Sequence, residues 1–130
     1  MADAPSVIVS PLLWVDDIAK SVDFYERLGF SVSETWTPEG KLMWCSMKLD
    51  QAEIMLQQST NEESESFHSR TRQEIELYFI CDDVDSLHIS FESNGLKAST
   101  PRTAFYPMKQ TFLKDPDGRT ICFETLVSRS

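Results

Sequence analysis

The feature that most limits how this chain can fold is an internal repeat. A shift of 66 positions places Asp16 on Asp82, Asp17 on Asp83, Ile18 on Val84, Tyr25 on Phe91, Glu26 on Glu92, Gly29 on Gly95 and Phe30 on Leu96 without a gap. A shift of 67 places Ile54-Met55-Leu56 on Ile121-Cys122-Phe123. Self-similarity at this spacing implies two copies of one supersecondary unit, each needing a neighbour to cover its apolar face.

The first copy opens with a β-rich run, Ser6 to Val15, in which Pro11 marks an edge or a bulge. Asp16 and Asp17 offer N-caps for a helix from Ile18 to Leu28, where Ile18, Val22, Tyr25 and Leu28 recur at helical spacing and Gly29 follows as a stop. Strands are expected at Phe30 to Thr35, Leu42 to Leu49 and Glu53 to Gln57, with Thr37-Pro38-Glu39-Gly40 as a turn. The second copy offers a strand from Glu74 to Asp82, a helix from Val84 to Asn94 stopped by Gly95, and a short strand from Leu96 to Thr100. A loop from Thr103 to Lys109 leads into a closing hairpin, Gln110 to Leu126. The hairpin turns at Asp115-Pro116-Asp117-Gly118, where proline presets one φ and glycine is free to take a positive one. The unit is therefore βαβββ and the fold class α+β. A single domain is expected, with modules at about residues 6–58 and 74–127. Residues 59–73 read as a polar linker rich in Ser and Glu, which also carries His68, Arg70 and Arg72.

Composition excludes more than it selects. A net charge of −9 argues against nucleic acid and anionic membrane surfaces, which need clustered cations. No apolar run is long enough to span a bilayer, and the first residues lack the pattern of a secretion signal. Cys45, Cys81 and Cys122 are odd in number, lack a CxxC pair and sit in apolar segments, so buried free thiols in a reducing cytoplasm are expected. Cys122 has no histidine strand-mate to activate it as a nucleophile, and no glycine-rich phosphate loop is present.

Period-2 alternation sorts the strands into two faces. Ser10, Leu12 and Trp14 share one face with Glu53, Met55 and Gln57, and with Glu76, Tyr78, Ile80, Thr120, Cys122 and Glu124 of the second copy. Ile54, Leu56, Leu77, Phe79, Ile121 and Phe123 fall on the other and should pack under the helices. The first face would then line a cavity with aromatics, a methionine and carboxylates, a lining suited to a flat or cationic organic ligand. A carboxylate on a central strand, as Glu76 is read here, is costly to bury unpaired, so it should be solvated, paired with Lys109 or Lys114, or turned to a ligand.

The segments VDDIAKSVDFYERLGF and FLKDPDGRTICFE resemble the vicinal-oxygen-chelate superfamily, which includes glyoxalase I, extradiol dioxygenases, fosfomycin-inactivating transferases and bleomycin-resistance proteins. The resemblance implies that each unit curls into a concave mixed sheet with its helix on the convex side. It also implies a homodimer that completes the pocket by pairing or swapping units. Metal ligands in the family would fall here on Ser10, Met55, Glu76 and Cys122. Of these only Glu76 is a good hard donor, so no metal and no cofactor is expected. The resulting expectation is a metal-independent protein that binds or sequesters a hydrophobic or cationic small molecule. The alternative is a divalent-metal-dependent lyase, isomerase or dioxygenase. The expected ligand-binding residues are Trp14, Trp44, Met55, Glu76, Tyr78, Tyr106, Cys122 and Glu124, with Tyr106 on a loop over the crevice and Trp36 at a rim or partner contact.

Overall fold

The computed structural model describes residues 5–60 and 75–127. In chain order the elements are β1 (Leu12–Val15), α1 (Ile18–Leu28), β2 (Ser31–Trp36), a short 3-10 turn (Pro38–Gly40), β3 (Trp44–Leu49) and β4 (Ala52–Gln58). They continue with β5 (Leu77–Ile80), α2 (Val84–Ser93), β6 (Arg102–Thr103), β7 (Met108–Lys114) and β8 (Thr120–Leu126). The strands form two four-stranded sheets of order β1-β4-β3-β2 and β5-β8-β7-β6. In each, the first strand runs parallel to the last and the other pairs are antiparallel. The fold is α+β, and both copies of the repeat share one strand order.

The repeat extends to the ends of the helices. Asp17 caps α1 by accepting from Lys20 N, and Asp83 caps α2 by accepting from Ser86 N. Gln58 Oε1 takes the amide of Ile18, while Thr125 Oγ1, its counterpart at a shift of 67, takes the amide of Val84. Each satisfies a helix-start donor that would otherwise be orphaned. At the other end Phe30 N bonds Tyr25 O, and Leu96 N bonds Phe91 O. Gly29 makes the first of these turns possible, because its φ of 117° lies where side chains clash.

The helices cover one face of each sheet. Leu13, Val15, Ile54, Leu56, Ile121 and Phe123 are buried there with Ile18, Tyr25, Leu28, Val84 and Phe91, forming one apolar cluster across both repeats. Leu77 and Phe79 are partly buried against it, as the alternation required. The sheets join on this side: the rings of Phe30 and Phe79 meet edge-on at 5.6 Å, and Asn94 Nδ2 donates to Arg27 O at 3.0 Å. A buried polar joint reinforces them. Tyr25 Oη donates to Asp115 Oδ2, Arg119 Nη1 lies 3.1 Å from the same oxygen, and Arg119 Nη2 donates to Trp14 O. Asp115 Oδ1 also takes the amides of Asp117 and Arg119, so one side chain shapes the turn and ties the sheets together.

Several expected boundaries move. The first strand is confined to Leu12–Val15, because Pro11 has no amide to donate, although its carbonyl still accepts from Met55 N. The sixth strand is Arg102–Thr103 and not Leu96 to Thr100, with Pro101 in between. In the earlier stretch only Ser99 reaches a strand, through its amide to Phe112 O and its hydroxyl to Phe112 N. The fifth strand begins at Leu77 and lies at a sheet edge, so Glu76 precedes an edge strand instead of sitting on a central one. The expected linker falls outside the described residues from position 61 onward, together with His68, Arg70, Arg72 and the start of the expected fifth strand.

Candidate functional site

The face turned away from the helices carries the candidate chemistry, in rows fixed by strand register. On the first sheet Trp14 is level with Gln57, Gln57 with Trp44, and Trp44 with Trp36. At one strand spacing per step this row spans roughly 15 Å. Trp14 and Trp44 are half-buried and Trp36 is exposed. The adjoining row is Leu12, Met55, Ser46 and Glu34, which sets the Met55 thioether beside the aromatic row.

On the second sheet Ile80, Glu124, Gln110 and Arg102 are level, with Tyr78, Cys122 and Phe112 in the row beside them. Glu124 is 8% exposed. Its Oε1 accepts from Gln110 Nε2 at 2.9 Å, and the same amide nitrogen donates to Tyr106 Oη at 2.7 Å. Among the described residues no cation pairs with Glu124. Tyr106 thus holds the amide that holds Glu124, while its neighbour Phe105 is fully exposed. A cleft of about 280 Å³ opens beside Gln110, lined by Arg102, Ala104 and Phe112 among others.

Electrostatics shows which of these groups feel one another. Partial burial raises the Tyr78 hydroxyl above the usual phenol range, and Cys122, Glu76, Tyr106 and Glu124 add to the rise. Burial pushes the Cys122 thiol up to about 12, with smaller contributions from Glu124, Cys81 and Glu76. The thiol is therefore protonated at physiological pH, which disfavours it as a nucleophile.

Of the residues expected from sequence, Glu76, Tyr78, Tyr106, Cys122 and Glu124 cluster on the second sheet, and Trp14, Trp44 and Met55 on the first. Glu76 is exposed, and neither proposed lysine partner turns to it: Lys109 pairs with Asp85 at 2.9 Å, and Lys114 Nζ donates to Thr120 Oγ1 at 2.8 Å. Gln110 and Phe112 were not anticipated as site residues, while Gln57 was placed only on the cavity face. The repeat held a signal for the first, since a shift of 66 carries Trp44, an expected site residue, onto Gln110.

The positions that would hold a metal do not suit one. Ser10 Oγ is buried without a partner, Met55 offers a thioether, Glu76 is an exposed carboxylate and Cys122 is a protonated thiol. Among the described residues no three His, Cys, Asp or Glu converge as a metal-binding group. No helix among them is long and apolar enough to cross a membrane.

Two paired βαβββ sheets define a class of fold, and comparison with known proteins assigns it. The model of the Glyoxalase/Bleomycin resistance protein/Dioxygenase superfamily matches residues 7–123, and the chain belongs to that superfamily. Among solved structures, a bleomycin-binding protein complexed with bleomycin is similar over 92% of this chain and 98% of its own, at 16% identity and a TM-score of 0.72. A bleomycin resistance determinant encoded on the transposon Tn5 is similar over 93% and 98%, at 16% identity and a TM-score of 0.73. A virulence protein from Salmonella typhimurium is similar over 96% and 100%, at 22% identity and a TM-score of 0.66. No protein of curated function matches.

Proposed function

We propose that this protein binds and sequesters a small organic cation with a flat apolar body, without the help of a metal. The observation that carries the reading is Glu124, a carboxylate 8% exposed that receives one neutral donor and no cation among the described residues. A charge withdrawn from water in this way costs stability unless something completes its shell. A ligand cation supplies what the chain does not. Tyr78, Phe112 and the row of Trp14, Trp44 and Trp36 offer rings for the ligand's body, and aromatic faces attract cations as well as apolar surface.

The reading includes a homodimer. The sheets join on their helix-covered sides, so the tryptophan row and the Glu124 group lie on open faces. Leu12, Trp36, Tyr78, Ile80 and Leu126 are exposed there. Setting the first sheet of one copy over the second sheet of its partner would cover this apolar surface and enclose a ligand between ring platform and carboxylate. The likeness to a bleomycin-binding protein supports the binding of a small molecule. The donor chemistry at Ser10, Met55, Glu76 and Cys122 disfavours a metal-dependent reaction at that place.

Tryptophan fluorescence tests the proposal, because the chain's three tryptophans all lie on the first-sheet face. Naphthylmethylammonium and bleomycin should quench it saturably, and naphthol, which has the same ring but no charge, should do so more weakly. An equal response to the naphthyl cation and to naphthol would overturn the charge preference. No saturable response to any of the three would overturn the function.

A further inference from the structure

A second cleft, of about 600 Å³, does not have Glu124 in its lining, shares only Phe112 with the first site and carries the opposite charge. Its walls are Phe24 from α1, Lys97 from the segment after α2, Phe112, Leu113 and Lys114 from β7, and Thr120 from β8. The volume lies within the range of small-molecule sites. Both lysines are exposed, and no carboxylate contributes to the lining. On a chain of net charge −9 that absence is specific to the place.

The walls are held before any ligand arrives. Phe24 packs edge-on against Tyr25 at 5.1 Å, and Tyr25 is itself fixed by its bond to Asp115. Phe112 is fixed through its backbone, its amide and carbonyl both bonded to Ser99. Lys114 commits one of its three ammonium hydrogens to Thr120 Oγ1, so two remain. Lys97 has no ion-pair partner among the described residues. We propose that this cleft is a binding site for a small aromatic carboxylate, its ring against the apolar walls that Phe24 and Leu113 supply and its carboxylate between Lys97 and Lys114. Inorganic phosphate is a poor fit, because it has no apolar body for Phe24, Phe112 and Leu113 to cover.

The site takes residues from both repeats, so its occupant would bridge α1 and the closing hairpin. The proposal does not depend on the Glu124 reading, and the probes keep the two apart. Naphthoate should bind saturably by calorimetry, and Lys97→Gln combined with Lys114→Gln should weaken it about tenfold, the scale of one charged hydrogen bond. Glu124→Gln should leave naphthoate unaffected, and inorganic phosphate should not displace it. Both lysines are exposed, so the double variant should keep the wild-type melting temperature, and a change in binding can be read as loss of the site. Unchanged naphthoate affinity in the double variant, effective displacement by phosphate, or absence of saturable naphthoate binding would each overturn the proposal.

Discussion

Tyr25 Oη donates a hydrogen bond of 2.8 Å to Asp115 Oδ2 across a separation of 90 residues. Tyr25 lies on the inner face of α1 and Asp115 opens the turn of the closing hairpin, so the bond joins the two repeats at the centre of their contact. The Asp115 and Arg119 side chains are 0% and 3% exposed, and their ion pair completes the joint. Asp115→Ala should therefore cost about 3–5 kcal/mol, the usual result of leaving one member of a buried pair uncompensated. Tyr25→Phe leaves that pair intact and should cost about 1–2 kcal/mol. Urea denaturation of both variants checks the ordering; equal losses would mean that the two bonds do not form one network.

The same tyrosine sets a limit at alkaline pH. Burial, then the neighbouring Asp115, holds its hydroxyl well above the usual value of 10.0. The unfolded chain releases this proton near the usual value while the folded chain keeps it, so the unfolded state binds fewer protons above that pH. The stabilisation is complete below about pH 10 and declines as pH rises towards the folded value. Stability measured across about pH 9–11 should fall more steeply for wild type than for Tyr25→Phe. Parallel curves would place the alkaline loss elsewhere.

Cysteine chemistry gives a third outcome. Cys45 and Cys122 are buried, Cys81 is half-buried, and burial raises the first two thiols. At about pH 8 an aromatic disulfide reagent should label Cys81 first and the other two only as the protein opens. Peptide mapping after brief labelling reads the order. Rapid modification of native Cys122 would contradict both its burial and its raised thiol.

Helix caps supply a fourth. Thr125→Val removes the acceptor for Val84 N while keeping the shape of the side chain. It should cost about 1 kcal/mol, as the loss of an N-terminal helix partner does. A shift in the denaturation midpoint at constant slope checks it.

Much of this architecture was legible because period and punctuation act locally. The alternation of Ile54, Leu56, Ile121 and Phe123 with Met55, Cys122 and Glu124 assigned both faces of the central strands, and Asp17 and Gly29 bounded α1 to the residue. The joint was not legible for the opposite reason. Asp115 in a DPDG turn already has a sufficient local explanation, and nothing near it in sequence points to a tyrosine 90 positions away. The apolar run Val7-Ile8-Val9 reads as strand but is largely exposed and outside β1, because Pro11 interrupts the pairing. In the site, Glu124 was visible from parity while Gln110 was not, since an amide at the start of a hairpin looks like surface until its cross-strand partner is known.

Recognition of a cation by Glu124 is tested by calorimetric titration of naphthylmethylammonium into chelator-treated protein and into Glu124→Gln. Binding should be saturable, unaffected by the chelator and about tenfold weaker in Glu124→Gln, with the variant's melting temperature preserved or raised because a buried charge has been removed. Binding that is equal in the two proteins, or that appears only after a divalent metal is added back, would contradict this reading.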